Sequence, residues 1–334
     1  MRHGATVRAA LGAAVLAALT GLTAGCSEPP PPAATDVIDP GSPAPRPTPT
    51  PSQPPAPLSG APVASEAVVA RAAVAVPIRV TADTTPAGLA AADLIYQEYA
   101  ESDSLHLTAV FHSRDAGKVG PVAEIRPVDV RTLAVLRPVV GYAGGPKNFL
   151  AQLTDSGLRG ATPGQRRSAF PAGHASTAAL RALAPAGGVG PPAIFDYATP
   201  GTPLASQGTA PASQLTVAAP GRPAQVWRYD AATSTWRGRV GKSTVAAASV
   251  IVLTMEYRTL TVRKPARREM PGAKVFGGGA ATVVSGPVGA KANWRKPGQE
   301  AVCHVTDLAG DQVHPLPGTT WVVYAPSKAK VTVT

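Results

Sequence analysis

Residues 93–112 read DLIYQEYAESDSLHLTAVFH. Leu, Ile, Tyr, Val and Phe dominate two runs, Asp93 to Tyr99 and Leu105 to His112, and both suit β-strands. A short acidic turn separates them. Upstream, Arg71 to Val80 is rich in Val and Ala and reads as a buried strand weakened by Pro77. Thr81 to Pro86 is turn-like, and Ala87 to Ala92 suits a short helix. Downstream, Val130, Leu133, Val135 and Leu136 recur at helical spacing within Val128–Val139. Asn148–Leu153 and Ser176–Leu183 also read as helices. Strands interleaved with helices predict an N-terminal α/β domain over residues 65–200.

Beyond it, residues 201–223 are rich in Pro, Gly, Ala and Ser and read as a linker or crossover. The remainder, 224–334, is β in character. Ala224–Tyr229 and Thr235–Val240 flank a turn at Asp230–Ser234 and predict a hairpin. Thr244–Tyr257 reads as one long strand. Ala280–Val284, Lys291–Arg295, Ala301–Thr306 and Thr320–Tyr324 follow between Gly and Pro turns. The expected class is α+β: an N-terminal α/β domain, then a smaller, mostly β domain.

The N-terminus carries Arg2, His3 and Arg8, then an apolar run from Ala9 to Thr20. That run has the length of a secretory signal and is shorter than the roughly 20 residues a spanning helix needs. Leu22-Thr23-Ala24-Gly25-Cys26 closes it as a lipobox, with leucine one position further from the cysteine than usual. The reading is a lipoprotein signal peptide over residues 1–25 and a lipidated Cys26, which places the protein at the cell membrane on its extracytoplasmic face. Residues 29–62 hold 14 prolines. Proline fixes φ and lacks an N–H, so residues 26–64 are expected to form an extended tether, at about 3.1 Å per residue where polyproline-like.

The chain has 334 residues and a formal charge of +11. Loss of Arg2 and Arg8 with the leader leaves +9. An exported basic protein meets anionic wall polymers or lipid head groups rather than nucleic acid. With Cys26 lipidated, Cys303 has no partner for a disulfide, and its apolar neighbours Ala301 and Val302 suit a buried, inert thiol. Adjacent His304 lacks the further ligands of a metal site. No phosphate loop, zinc-helix motif, dinucleotide fingerprint or nucleophile elbow is present, so neither metal nor cofactor is expected.

Several strings occur in an order that resembles a known family. They are Ala92-Asp93-Leu94-Ile95-Tyr96, Ala109-Val110-Phe111, Lys118-Val119-Gly120-Pro121-Val122 with Arg126-Pro127, and Ala143-Gly144-Gly145. Together they resemble the N-terminal domain of the YerB-type bacterial lipoproteins. Gly277-Gly278-Gly279, Gly286, Asn293-Trp294-Arg295-Lys296 and Pro317-Gly318-Thr319-Thr320-Trp321 resemble the second domain of that family. The resemblance implies an exported two-domain lipoprotein and no particular reaction. Gln97, Leu105-His106, Ala123, Tyr142 and Pro171-Ala172-Gly173-His174 depart from the family pattern.

Arg126, Glu101, Glu124 and His106, with the turn glycines Gly120, Gly144 and Gly145, form the candidate ligand site of the first domain. Val119-Gly120-Pro121 is a turn, and a helix after it would offer backbone N–H groups to an anion. Arg126 then either clamps a phosphate or carboxylate or pairs with Glu98 or Glu101. His174 and Ser176 either pair a base with a nucleophile or open a helix through an N-cap at Ser176 or Thr177. Arg258, Arg263, Lys264, Arg267, Arg268 and Lys274 form either a solvated loop or a basic patch for anionic surfaces, centred on Arg263, Lys264, Arg267 and Arg268. The expectation is an envelope protein binding an anionic ligand or partner. The alternatives are an enzyme acting on envelope glycan or peptide through Glu101, Glu124 and His106, and a structural assembly partner.

Overall fold

Between residues 94 and 99 the side chains divide by parity, as a strand buried on both faces requires. Leu94 and Tyr96 join one apolar core, and Ile95 and Tyr99 join another on the opposite face. Residues 320–325 alternate in the same way: Trp321, Val323 and Ala325 face one core, Val322 and Tyr324 the other. The two strands lie side by side, parallel, with Thr320 opposite Leu94 and Tyr324 opposite Glu98. The centre of the molecule is therefore a pairing of segments more than 200 residues apart.

The computed structural model describes residues 53–199, 204, 208–262 and 267–334. Cys26, the leader, the tether through Ser52, and Arg263 and Lys264 lie outside the described residues. In chain order the strands are β1 (Val74–Val80), β2 (Leu94–Tyr99), β3 (Leu105–Phe111), β4 (Val139–Gly141), β5 (Arg159–Ala161), β6 (Ala210–Pro211), β7 (Gln214–Ala218), β8 (Gln225–Asp230), β9 (Thr235–Val240), β10 (Ser243–Ala247), β11 (Ser249–Met255), β12 (Tyr257–Val262), β13 (Arg268–Ala273), β14 (Gly277–Ser285), β15 (Val288–Lys296), β16 (His304–Asp307), β17 (Thr320–Pro326) and β18 (Lys330–Val333). The α-helices are short: α1 (Glu66–Ala70), α2 (Pro127–Leu133), α3 (Lys147–Asp155) and α4 (Thr177–Arg181). The class is α+β.

An 11-stranded mixed sheet runs β16-β15-β14-β11-β17-β2-β3-β1-β4-β5, with β6 added beside β15. A five-stranded antiparallel sheet, β10-β9-β8-β7-β18, covers one face of it. Trp227 and Trp321 meet edge-on between the two sheets, with ring centroids 5.1 Å apart. Helices α2 and α3 and the β12–β13 hairpin contribute to the core on the other face.

Four expectations are corrected. Residues 65–200 and 224–334 do not build separate sheets, because β2 and β17 pair across the expected boundary. The tether ends before residue 64: Leu58 is fully buried, and Pro55 bridges Pro62 around a turn at Gly60. One large apolar side chain among prolines is enough to dock the segment. The expected linker 201–223 contains β6 and β7. Finally, Thr244–Tyr257 is not one strand. It breaks at Ala248, whose N–H donates to the Thr319 carbonyl, so β10 ends in the small sheet and β11 begins in the large one.

Candidate functional site

Of the first domain's predicted polar residues, Arg126, His106 and Glu101 gather on the α2-covered side of β2 and β3; Arg126 and His106 are buried, Glu101 is half-buried, and Glu124 lies apart. Alternation puts Glu98, His106 and Thr108 on this side. Pro127 opens α2 at its first position, where a missing N–H costs nothing. Asp129, three residues after the cap, accepts the Arg126 N–H at 2.7 Å. The same carboxylate accepts the Thr108 hydroxyl and contacts His106 Nε2 at 2.9 Å. The Arg126 guanidinium lies 3.0 Å from Glu98 and donates to Glu101 at 2.9 Å and to the Pro271 carbonyl at 2.6 Å. Glu98 in turn accepts the Ala273 N–H at 2.7 Å.

Burial pushes the Glu98 carboxyl up from its ordinary value, against the pull of Arg126. Burial also raises Glu101, but the Arg126 hydrogen bond and charge outweigh it and hold Glu101 low. Arg126 loses to burial and gains more from Glu98 and Glu101, so its charge is secured. This is a closed ion cluster. Its arginine bonds to Glu101 and to the Pro271 carbonyl of the β12–β13 hairpin and pairs in charge with Glu98, the pairing that stood as the alternative to an external anion.

The other sequence candidates have comparable local occupations. Glu124 is exposed and pairs with Arg268 at 2.9 Å, while Arg267 faces Glu269 at 3.4 Å. The expected loop through 258–274 is a two-stranded hairpin on either side of residues 263–266. Gly144 accepts the Ile125 N–H at 2.9 Å, and a Cβ on Gly145 would lie 3.0 Å from Ile125, so this pair buttresses the segment leading into Arg126. Gly120 belongs to a turn tied to Ala87, not to a helix N-terminus. Ser176 caps α4 by accepting from the Ala179 N–H, and His174 is held by the Ala172 carbonyl. Burial lifts the Cys303 thiol to about 12, which removes thiolate chemistry near neutrality.

The open sites are on the small sheet. In β9, Trp236, Gly238 and Val240 are buried while Arg237 and Arg239 are exposed. Gly238 is required by packing: a Cβ there would come within 2.7 Å of the Trp227 ring. In β8, Trp227 points inward and Arg228 outward. Arg228 stands directly opposite Arg237, and Arg239 follows two residues along on the same face. Asp230 binds Arg237 at 2.9 Å. Among the described residues, Arg228 and Arg239 have no carboxylate partner.

Beside this face, between the two sheets, runs a cleft of about 940 Å³. Its floor includes Ile95 and Trp321, one wall is Gly88–Ala90 and Pro317–Thr319, and the other is β10. Arg114 and Arg237 are its charged residues, and none of Glu101, Glu124 and His106 lines it. Sequence reasoning missed both features. The inward Trp-Gly-Val and outward Arg-Arg alternation of residues 236–240 was the available signal.

Two family models match the chain consecutively. Residues 58–182 match the N-terminal domain, and residues 215–322 the C-terminal domain, of a protein of unknown function (DUF3048). The chain belongs to the DUF3048 family. No curated protein matches it. The crystal structure of the YerB protein from Bacillus subtilis is similar, with 16% identity, a TM-score of 0.65, and coverage of 84% of this chain and 100% of that one. At that identity the likeness concerns the fold. Both DUF3048 segments supply strands to the large sheet, so the two domain models describe parts of one continuous structure here.

Proposed function

We propose that this DUF3048 protein is an exported, lipid-anchored envelope protein that binds an anionic polymer or head group through the outer face of its small sheet. The observation that carries the binding reading is the direct register of Arg228 with Arg237, extended by Arg239. Like charges opposite one another across a sheet destabilise it. A single carboxylate, Asp230, accompanies the three arginines. Gln214 and Thr244, at the neighbouring register positions, add hydrogen-bonding groups without opposing charge. An external polyanion supplies the missing counter-charge, each arginine near such a surface contributing on the order of 1 kcal/mol. The lipid anchor rests on the leader and on Cys26 of the lipobox.

The binding test uses full-length, unlipidated Cys26→Ser protein with two probes, polyphosphate and phosphatidylglycerol vesicles, over a salt series. Affinity for at least one probe should fall as salt rises, and should collapse in the Arg228→Gln, Arg237→Gln, Arg239→Gln triple variant. Undiminished binding by that variant overturns the reading. The anchor is tested separately by radioactive palmitate labelling in cells, which Cys26→Ala should abolish.

A further inference from the structure

Strand β10 is an edge of the small sheet. All five of its residues, Ser243 to Ala247, line the cleft. Alternate residues of a strand present side chains to opposite faces, so a groove touching five in succession runs along the strand's edge. The register shows which backbone groups face it. Val240 and Ser243 close a two-residue turn with Gly241 first at φ +57°, the type II′ arrangement. The closing pair is hydrogen-bonded, so Ser243, Val245 and Ala247 direct their N–H and C=O groups to β9. Thr244 and Ala246 direct theirs into the cleft. No partner for these groups occurs among the described residues.

The end strands of the large sheet and the opposite edge of the small one are guarded. β18 carries Lys330 and is preceded by Lys328. β16 is covered by its own continuation, with Val313 N–H donating to Val305 and Thr306 bridging Gln312. β5 is three residues long. β10 has five residues and no Lys or Pro within it; Lys242, just before it, is turned to Asp83 at 3.3 Å, and the short turn Leu89–Ala91 packs near it as the facing wall of the cleft.

Charge narrows the occupant. The cleft lining contains Arg114 and Arg237 and no acidic side chain. Arg237 is already tied to Asp230, whereas Arg114 is exposed and without a carboxylate partner among the described residues. Hydroxyls of Thr233, Ser234 and Thr319 and the apolar Leu89 supply the rest of the wall.

We infer that the cleft takes an extended acidic peptide, which adds to the small sheet as a sixth strand beside β10. Main-chain bonds to Thr244 and Ala246 give affinity, and a peptide carboxylate on Arg114 gives the charge preference. The peptide site uses the edge of the small sheet and the polyanion site its outer face; they share Arg237 and Thr244, and Arg114 belongs to the first alone, Arg228 and Arg239 to the second.

The test is fluorescence anisotropy with the full-length Cys26→Ser protein and a labelled, acetylated hexapeptide of alternating Val and Glu. Saturable binding is expected, at least tenfold stronger than for the Val-Lys counterpart. Two further hexapeptides carry backbone N-methyl groups on odd or on even residues. One should lose binding at least tenfold and the other should retain it, because only one set of N–H groups can face β10. Equal retention by both, or no saturable binding of the unmodified hexapeptide, overturns the inference. Ala246→Pro removes an N–H that faces the cleft and no bond to β9, so it should cost tenfold in affinity with an unchanged unfolding midpoint. If that variant fails to fold, the methylated peptides still decide. Arg114→Ala should weaken the acidic peptide severalfold. The difference between the two methylated peptides should persist in the Arg228→Gln, Arg239→Gln variant, whose polyanion face is disabled, which separates failure here from failure of the polyanion reading.

Discussion

Arg126 and Arg228 show two opposite treatments of the same side chain. Arg126 is buried and meets Glu98, Glu101 and the Pro271 carbonyl. Arg228 is exposed, stands opposite Arg237 and has no carboxylate partner among the described residues. The first arrangement leaves nothing for a ligand. Its three oxygen groups come from β2, the turn after it and β13, so Arg126 fixes how the hairpin docks on the sheet. The second leaves charge available and ties no elements together. An arginine's place in a fold, rather than its presence in a motif, decides whether it serves structure or binding.

The largest expected effect sharpens the structural side of that contrast. Arg126→Ala strands Glu98 in the core and should destabilise by about 3–5 kcal/mol, read by urea denaturation. Combining Arg126→Met with Glu98→Gln removes both buried charges and should recover much of the loss. The pH dependence follows the same cluster. Glu98 is raised above its ordinary 4.5, so its folded form holds a proton that the unfolded chain releases. Its contribution is present below 4.5 and is lost as pH rises through the raised value. Glu101 and Asp115 are held low, because bonds to Arg126 and to Arg181 outweigh burial. Their contributions are present above their ordinary values and are lost as pH falls through the depressed ones. Stability of Glu98→Gln relative to wild type should therefore improve as pH rises above 4.5; a constant difference contradicts the raised Glu98.

The next effect concerns the floor beneath the arginine face. Gly238→Ala would press a methyl into the Trp227 ring, 2.7 Å from the site of its Cβ, at a cost of about 1–3 kcal/mol in thermal or urea unfolding. This site also marks what the sequence makes legible. Residues 236–240 alternate Trp, Arg, Gly, Arg, Val, and that period of two gives both the strand and its exposed arginines. The strands around Asp93–His112, the hairpin at Asp230–Ser234 and the cap at Ser176 are local patterns of the same kind. Pairing of Trp321 with Ile95 is not local, since no period in either strand names a partner that far away. The break at Ala248 is equally hidden, because Val245, Ala247, Val250 and Val252 keep one parity on each side except for a single-residue shift. The buried cluster is half legible: pairing of Arg126 with Glu98 or Glu101 is one of the two roles its residue type allows, but closure by Pro271 and Ala273 depends on the β12–β13 hairpin, whose charged residues hide its period.

On the binding side the increments are smaller. Arg228→Gln alone should weaken polyanion binding by about 1 kcal/mol at low salt, and the deficit should shrink as salt rises. Arg126→Gln, in conditions where it remains folded, should leave that affinity unaltered. Equal losses from both substitutions would erase the distinction between the saturated and the open arginine.

The smallest effect tests whether side-chain bonds at the rim of the first domain are structural as well. Ser176 accepts the Ala179 N–H at 3.5 Å, a long bond at the start of a five-residue helix. Helix α4 is also held by Arg181, which reaches Asp115 at 2.9 Å and the Ala72 carbonyl, and by Thr177, which donates to Asp115 at 2.8 Å. The cap therefore shares its work with stronger bonds. Ser176→Ala should cost about 0.5 kcal/mol, at the low end for an N-cap. Thr177→Val should cost more, since it breaks a part-buried bond to a carboxylate that Arg71 and Arg181 share. A larger loss from Ser176→Ala than from Thr177→Val would mean that the serine has a role beyond opening the helix.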